Sequence, residues 1–237
     1  MKSVVIVQAR MSSSRLPGKI MKMLAGKTFL EHCMDRCRLI AGIDEVICAT
    51  TDEADADGIV DVCRRRDYRW YRGSLDNVLN RYRVAAEEAG AEAVMRITSD
   101  CPLADPEIAG WVAQRFALGQ HDLVTTNIPP SWPIGLDVEM FTIDALREAD
   151  REARLQPERE HVTTFIRTRP RRYKLFSIPC PMEGRSHWRL TLDTEQDRQL
   201  FVALSESLGK PIENVRWREI MTHLDQNPGL LAINTPL

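Results

Sequence analysis

The stretch VVIVQARMSSSRLPGK occupies residues 4–19 and joins a short apolar run to a polar, basic loop. Residues 4–8 are predicted to form a buried strand, because they are mostly apolar and lead into turn-forming residues. The loop that follows carries the cations Arg10, Arg15 and Lys19 among three serines and a glycine. In α/β sheets, ligands bind beyond the carboxyl ends of the strands, where loop amides can face an anion. The stretch therefore favours an α/β fold with an anion-binding loop after its first strand.

An ordinary polar surface loop explains the same residues equally well, since three basic residues in one loop are common. The loop contains neither G-x-x-x-x-G-K-[ST] nor G-x-G-x-x-G, so it is not a Walker loop or a dinucleotide fingerprint. From the residues alone, a phosphate site and a solvated surface loop both remain open.

Short apolar runs alternate with amphipathic stretches through the first half of the chain. Strands are predicted over residues 4–8, 45–50, 68–71, 93–98 and 122–126, and a helix over residues 28–40. This alternation indicates βαβ units on a mainly parallel sheet with right-handed crossovers. We therefore expect an α/β protein.

The pattern changes at residues 127–133, where three prolines and a tryptophan interrupt the alternation. Beyond this loop, strands are predicted over residues 136–141, 172–178 and 188–193, and helices over residues 142–154, 157–168 and 195–208. We expect one domain over residues 1–237, with an inserted α+β segment at residues 127–186.

Composition limits the classes of partner and the compartment. A net charge of −2 lacks the basic footprint that nucleic acids or anionic membranes require, so neither partner is expected. No apolar stretch approaches the roughly 20 residues of a membrane span, and the start of the chain does not resemble a signal peptide. The six cysteines lack the spacing of a disulfide framework. A cytoplasmic protein with reduced thiols is expected.

Residues 9–19 match the pattern A-R-x-x-S-x-R-L-P-G-K, and here the chain resembles the cytidylyltransferase family that includes the CMP-sugar-acid synthetases. Blocks at residues 72–82, 96–103, 135–139 and 158–163 are most similar to its branch of spore coat polysaccharide biosynthesis proteins. The resemblance implies a Rossmann-like, doubly wound sheet of the nucleotide-diphospho-sugar transferase type. It also implies CTP as substrate, Mg²⁺ as cofactor and a homodimer, which we expect to form through residues 127–186.

Two aspartates are candidate metal ligands. Asp100 follows the strand predicted over residues 93–98, and Asp193 ends the one predicted over residues 188–193. Carboxylates at one sheet edge can converge on a hard cation, and the resemblance implies that these two hold Mg²⁺. Asp197 is either a neighbour of the metal or a helix-start residue. Ser99 stands where the family usually has glycine, and a positive φ there would cost about 1 kcal/mol.

The resemblance also implies the remaining site residues. Catalytic roles fall to Arg10, Arg15, Lys19 and Asp100, and nucleotide binding to Gln8, Ala9, Arg10, Ser13, Arg15, Lys19, Arg72, Gly73, Ser74, Asp76 and Thr98. Acceptor binding falls to Asp137, Glu139, Arg159, Glu160 and His161, of which Arg159 and His161 suit a carboxylate or a phosphate. Arg81 and Arg96 contact either a ligand or a structural ion-pair partner.

The implied reaction transfers CMP from CTP to a small anionic or sugar-like acceptor, with release of pyrophosphate, in surface polysaccharide or related conjugate biosynthesis. One alternative is a sugar-nucleotide-dependent glycosyltransferase. Asp55-Ala56-Asp57 has the letters of its D-x-D metal motif, but the motif opens a predicted helix rather than ending a central strand. The other alternative is a non-catalytic nucleotide-binding protein of the same fold.

Overall fold

The computed structural model of the protein describes residues 1–235. The strands are β1 (Ser3–Gln8), β2 (Met23–Leu24), β3 (Lys27–Thr28), β4 (Glu45–Thr51), β5 (Arg69–Gly73), β6 (Ala93–Thr98), β7 (Leu123–Thr125), β8 (Glu139–Thr142) and β9 (Leu175–Ser177). The helices are α1 (Phe29–Cys37), α2 (Asp57–Arg66), α3 (Val78–Glu88), α4 (Pro106–Phe116), α5 (Ile143–Glu152), α6 (Gln156–Glu160), α7 (Thr164–Arg167), α8 (Glu195–Leu208), α9 (Trp217–Gln226) and α10 (Pro228–Ala232). No helix in these residues combines the length and apolar composition needed to cross a membrane.

Seven strands form one sheet in the order β5-β4-β1-β6-β8-β7-β9. β1 pairs in parallel with β4 and β6, whereas β8 runs antiparallel to its neighbours β6 and β7. The register places Gln8, the last residue of β1, opposite Ala49 on one side and Thr98 on the other. The predicted mainly parallel sheet is therefore confirmed, and the carboxyl ends of β1 and β6 meet at one edge.

Helices cover both faces of this sheet. Val5 and Val7 of β1 pack into one buried cluster with α1, α4 and α8. Val4 and Ile6 point the other way and pack with α3 and α5. Because strand side chains alternate between faces, a strand covered on both sides is apolar throughout, as the run at the start of the chain is. The doubly wound arrangement is confirmed.

The segment 127–186 adds β8 and β9 to the same sheet. The strand predicted over residues 136–141 begins only at Glu139. Before it, Gly135 adopts a φ of +104°, and a Cβ on this residue would lie 2.3 Å from the carbonyl oxygen of Leu190. The chain between Gly135 and β8 is therefore packed closely against a neighbouring stretch of backbone instead of continuing the strand.

Two other predictions in this half were wrong. The helix expected over residues 157–168 is broken into α6 and α7 at His161, whose φ of −106° and ψ of 64° are not helical. After the break, Thr163 donates its hydroxyl to Glu139 at 3.0 and 2.9 Å. The strand expected over residues 188–193 is extended chain with a single bridge, Ile134 to Arg189, within the described residues. The helix predicted over residues 195–208 is confirmed as α8.

Candidate functional site

The loop after β1 folds back on itself. The Gly18 amide donates to the Met11 carbonyl at 3.2 Å, and the Leu16 amide donates to the Ser13 hydroxyl at 3.4 Å. Gly18 has a φ of +62°, a left-handed conformation that glycine adopts without strain, and it starts a short 3₁₀ turn at Lys19. The fold of the loop directs Lys19 back towards the sheet edge.

A cavity of about 190 Å³, here called the loop cavity, lies between this loop and the ends of β1 and β6. Its lining residues are Gln8, Arg10, Ser12, Ser13, Ser14, Arg15, Lys19, Ile20, Thr98, Ser99, Asp100 and Asp193. The three loop cations and the two aspartates thus surround one space. The sequence analysis predicted that these five charged residues share one site, and in the structure they line one cavity.

Lys19 binds both aspartates. Its Nζ lies 2.7 Å from Oδ2 of Asp100 and 2.8 Å from Oδ1 of Asp193, and Arg15 adds a 3.3 Å contact to Asp193. Burial alone would lower the pKa of Lys19, but the two carboxylates outweigh it and the pKa is raised. Burial likewise opposes ionisation of Asp100, yet the neighbouring ammonium holds the pKa of that carboxyl below its usual value. Lys19 and Asp100 are therefore both charged at neutral pH.

The chain holds the two aspartates together through the backbone. The Leu192 amide, one residue before Asp193, donates to the Asp100 carbonyl at 2.8 Å. Ser99 donates its amide to the Gln8 carbonyl at 2.9 Å, and its φ is not positive, so serine adds no left-handed strain at this turn. The two carboxylates converge on one position because the loops that carry them are bonded to each other.

The donor set fits a small divalent cation that retains water. One ammonium group contacts an oxygen of each carboxylate, so Asp100 and Asp193 can also contact one metal ion. Within residues 1–235, no three His, Cys, Asp or Glu side chains are grouped as a closed metal site. Mg²⁺ is commonly held by one or two carboxylates, with water and substrate phosphate completing its shell.

Asp197 is not a third ligand of this position. Its Oδ1 accepts from Arg189 at 2.7 Å and from Asn234 at 2.8 Å, and its Oδ2 accepts from the amides of Asp193 and Thr194 at 3.0 and 2.8 Å. These bonds occupy both oxygens of a fully buried carboxylate. Asp197 therefore belongs to the capping box at the start of α8 and holds the backbone of Asp193 in place. This agrees with the second of the two roles considered for it, that of a helix-start residue.

A second cavity of about 280 Å³, here called the segment cavity, adjoins the first. The two share Gln8, Arg10, Thr98 and Asp100. The segment cavity is also lined by Arg96, Ile97, Cys101, Asn127, Asp137, Glu139, Glu160, His161, Arg167 and Thr191. Four of the five residues expected to bind an acceptor therefore line one space beside the aspartate pair.

Glu139 and Asp137 lie two residues apart in the segment cavity but have different surroundings. Glu139 is buried and accepts from Arg96 at 3.2 Å, from Arg167 at 3.3 Å and from Thr163. Asp137 has one hydrogen bond within the described residues, from the Gly135 amide at 3.5 Å. Burial raises the pKa of Asp137 to about 6.

A family model described as cytidylyltransferase matches residues 4–209 of the chain. The chain belongs to the cytidylyltransferase family. It is 31% identical over 230 residues to the spore coat polysaccharide biosynthesis protein SpsF of Bacillus subtilis (strain 168), a match that covers 94% of each chain. The solved structure of a cytidylyltransferase from Leptospira borgpetersenii superposes with a TM-score of 0.93 at 27% identity, over 100% of this chain and 99% of that one.

The structure of CMP:2-keto-3-deoxy-manno-octonic acid synthetase complexed with CTP shares the fold, with a TM-score of 0.69 at 17% identity. That likeness covers 88% of this chain and all of the other. The predicted Rossmann-like fold and the stated resemblance are both confirmed.

Other predicted residues of this cytidylyltransferase lie outside both cavities. Arg159 is bonded to the Asp150 carboxylate at 2.6 Å and the Ala153 carbonyl at 2.9 Å. Arg72 at the end of β5 is bonded to Asp57 at 2.7 Å and to two backbone carbonyls. These partners hold both arginines in structural contacts. Ala9, which continues β1 and donates its amide to Ala49, is buried under the loop.

Residues 73–76 of the cytidylyltransferase begin at the last residue of β5, a strand that lies two positions from β1 in the sheet. A Cβ on Gly73 would lie 3.1 Å from the side chain of Arg81, which is fully buried beneath it. Nη1 of Arg81 donates a hydrogen bond to the Ser74 carbonyl at 2.7 Å, while Nε and Nη2 of Arg81 have no hydrogen-bond partner within residues 1–235. Arg96 is an ion-pair partner of Glu139 that also lines the segment cavity.

Arg167 is a cavity residue that the sequence analysis missed. It lies on α7, four residues after Thr163, and both side chains contact Glu139. The i, i+4 spacing places them on one helix face, and this was the available signal. It is weak, because it requires knowing that Glu139 faces this helix. The D-x-D letters at Asp55–Asp57 lie in a 3₁₀ turn and at the start of α2, and line neither cavity.

Proposed function

We propose that the protein transfers CMP from CTP to a hydroxyl of a small anionic or sugar-like acceptor and releases pyrophosphate. The observation that carries the proposal is that the loop cavity and the segment cavity meet at Gln8, Arg10, Thr98 and Asp100. A triphosphate and an acceptor held in adjoining spaces are in position for in-line attack, and positioning supplies much of the rate of such reactions.

The loop cations are suited to the triphosphate. Arg10, Arg15 and Lys19 line one cavity, so they can neutralise the charge that builds up on the departing pyrophosphate. The exposed Arg15 side chain can follow the ligand, whereas Lys19 is fixed by Asp100 and Asp193. Gln8, Ser13, Gly73, Ser74, Asp76 and Thr98 complete the proposed nucleotide site, whereas Ala9 and Arg72 support it through their bonds to Ala49 and Asp57. Gly73 to Asp76 would contact the base and ribose from the side.

Asp100 and Asp193 would hold Mg²⁺, which when bound polarises the α-phosphate as a Lewis acid. The chain itself fixes the two carboxylates. The Leu192 amide donates to the Asp100 carbonyl, and the Asp197 carboxylate accepts from the amides of Asp193 and Thr194. The intact acid pair also argues against a binding protein that has lost its chemistry.

The segment cavity would receive the acceptor. Asp137, Glu139, Glu160 and His161 line it, whereas Arg159 lies outside it and is bonded to Asp150. The relative SpsF supports a role in surface polysaccharide or related conjugate biosynthesis. Arg167 and His161 carry N–H donors suited to one acidic group on the acceptor, and the carboxylates are suited to its hydroxyls. We propose a cytoplasmic homodimer as the working form.

The test is pyrophosphate release with CTP, Mg²⁺ and a panel of sugar acids, phosphorylated polyols and phosphonates. We expect release that requires both CTP and one acceptor class, and mass spectrometry should find the CMP conjugate. Parallel reactions with ATP, GTP or UTP should be slower, and calorimetry should show weaker binding. Tighter binding of another triphosphate would reject CTP, and hydrolysis of UDP-sugars in place of pyrophosphate release would favour a glycosyltransferase.

A further inference from the structure

Asp137 lines the segment cavity together with Asp100, one of the two aspartates of the pair. β8 is antiparallel to β6 with Glu139 opposite Arg96. Asp137 comes two residues before Glu139, and so lies farther towards the carboxyl end of β6, the end that leads into Asp100. It lines the cavity together with Asp100 and Thr191. A carboxylate in this place borders the space where the acceptor and the α-phosphate would meet.

Two of the three arginines that line the segment cavity are engaged elsewhere. Arg96 and Arg167 each donate to Glu139, and Asp137 keeps only the long bond from Gly135 within residues 1–235. The other charged or titratable groups that line the cavity are Arg10, Asp100, Cys101, Glu160 and His161. Burial raises the pKa of the Cys101 thiol well above its usual value, so this thiol stays neutral. Asp137 is therefore a half-buried carboxylate without a cation bonded to it within residues 1–235.

Resting on the proposed function, we propose that Asp137 is the general base that removes the proton from the attacking hydroxyl of the acceptor. The hydroxyl oxygen forms a bond to the α-phosphorus of CTP while its proton passes to a carboxylate oxygen of Asp137. The bond from the α-phosphorus to the bridging oxygen breaks, and pyrophosphate leaves with that electron pair. Asp137 then returns the proton to solvent.

The environment of Asp137 suits this role. Burial raises its pKa to about 6, Glu139 adds to the rise, and the Gly135 amide, Arg167 and Arg96 oppose it. A base whose pKa lies just below the working pH is mostly ionised and still takes up a proton readily. Glu139, held by two arginines and a threonine, lacks the free oxygens for the same task.

The experiment compares Asp137→Asn with Asp144→Asn, a matched change at an exposed residue of α5. With the acceptor that wild type uses, Asp137→Asn should lower kcat by about a hundredfold to ten-thousandfold. Its pH profile should lose the rise near pH 6, while CTP affinity stays within about twofold. Asp137→Glu should recover part of the rate, and Asp144→Asn should match wild type. Full turnover in Asp137→Asn would overturn the base assignment alone, whereas a wild type that releases no pyrophosphate with any acceptor would overturn both proposals.

A second readout needs no acceptor. Carboxyl ¹³C NMR should show one aspartate titrating near pH 6 that is missing in Asp137→Asn. Because the raised pKa favours the protonated form in the folded state, stability from this group falls as pH rises from about 4 to about 6. Asp137→Asn should therefore gain melting temperature relative to wild type at pH 8 and not at pH 4. An Asp137 that titrates below pH 4.5 would contradict the proposal.

Discussion

Lys19 carries an unusual share of the site's electrostatics, because one ammonium group contacts two carboxylates and lines the loop cavity. Replacing it with alanine removes a charged donor from the triphosphate and leaves Asp100 beside Asp193 without their common partner. We expect Lys19→Ala to weaken CTP binding by about 1.5–3 kcal/mol, the range for hydrogen bonds to charged groups. Calorimetry at fixed Mg²⁺ measures the change.

The control for this prediction is Lys210→Ala, since Lys210 pairs with Glu219 on the surface and lines neither cavity. Arg15→Ala should lose affinity in the same range. Unchanged affinity in both Lys19→Ala and Arg15→Ala would remove the loop from the nucleotide site.

Asp100 and Asp193 carry the prediction about metal. Asp100→Asn and Asp193→Asn keep the side-chain shape but remove a full negative charge from the proposed cation shell. Turnover should fall about a hundredfold, or about 3 kcal/mol of transition-state stabilisation. CTP binding measured without metal should change far less, because Arg10, Arg15 and Lys19 remain.

Asp61→Asn, at an exposed position on α2, is the matched control and should behave as wild type. Near-normal pyrophosphate release in both active-site variants would exclude the two aspartates as metal ligands. A large fall in melting temperature in both would point to a structural role instead.

At the level of the element, Gly135 decides how the start of the segment packs. Its φ of +104° and the 2.3 Å approach to the Leu190 carbonyl leave no room for a side chain. We expect Gly135→Ala to destabilise the fold by about 3 kcal/mol, through backbone strain and overpacking together. Thermal unfolding measures the loss.

Gly119→Ala separates the two causes. Gly119 also has a left-handed φ, +68°, but a Cβ there would meet nothing within 4 Å. This variant should lose only about 1 kcal/mol. Equal losses of stability in the two variants would show that the close approach to Leu190 adds nothing to the cost of the left-handed φ.

The elements predicted well from sequence are those whose signals are local. β1 and β6 are apolar runs, and α8 has Thr194 and Asp197 as a capping box at its start. The break between α6 and α7 was missed, because the non-helical backbone at His161 is not marked by a proline or glycine in the sequence. The extended stretch at residues 188–193 has the composition of a strand and lacks a partner ladder, which sequence does not reveal.

The residues of the site also divide into those that could be predicted from sequence and those that could not. The loop cations and the aspartate pair follow strands whose ends share one edge, so their meeting could be inferred. Arg72 and Arg159 look like ligand-binding residues in sequence, yet the structure gives them Asp57 and Asp150 as partners. Partner choice among the chain's many charged side chains depends on the folded geometry.

At the scale of the whole molecule, we predict a homodimer that forms through residues 127–186. Trp132, the tryptophan that interrupts the strand–helix alternation at the start of this segment, is buried in the chain's own core against Trp111 and Trp217, so it is not available to a partner. Leu155 is 64% exposed and offers an apolar surface in the same segment. Wild type should be a dimer by light scattering at micromolar concentration, and Leu155→Asp should shift it towards monomer.

Leu118→Asp is the matched control, because Leu118 is 58% exposed and lies outside the segment. It should leave the assembly unchanged. A monomeric wild type would contradict the dimer, and a dimer that survives Leu155→Asp would place the interface elsewhere.

The ion pairs of Lys19 bear on how the protein tolerates metal scarcity. Two neighbouring carboxylates would repel each other without a counterion, but Lys19 is an internal one, attached to the chain. We therefore expect folding to need no divalent ion, so that chelation with EDTA stops the proposed turnover while leaving the melting temperature nearly unchanged. If the proposed Mg²⁺ site is correct, a cell short of magnesium would keep this protein folded but inactive, and activity would return with the ion, with no new synthesis or refolding.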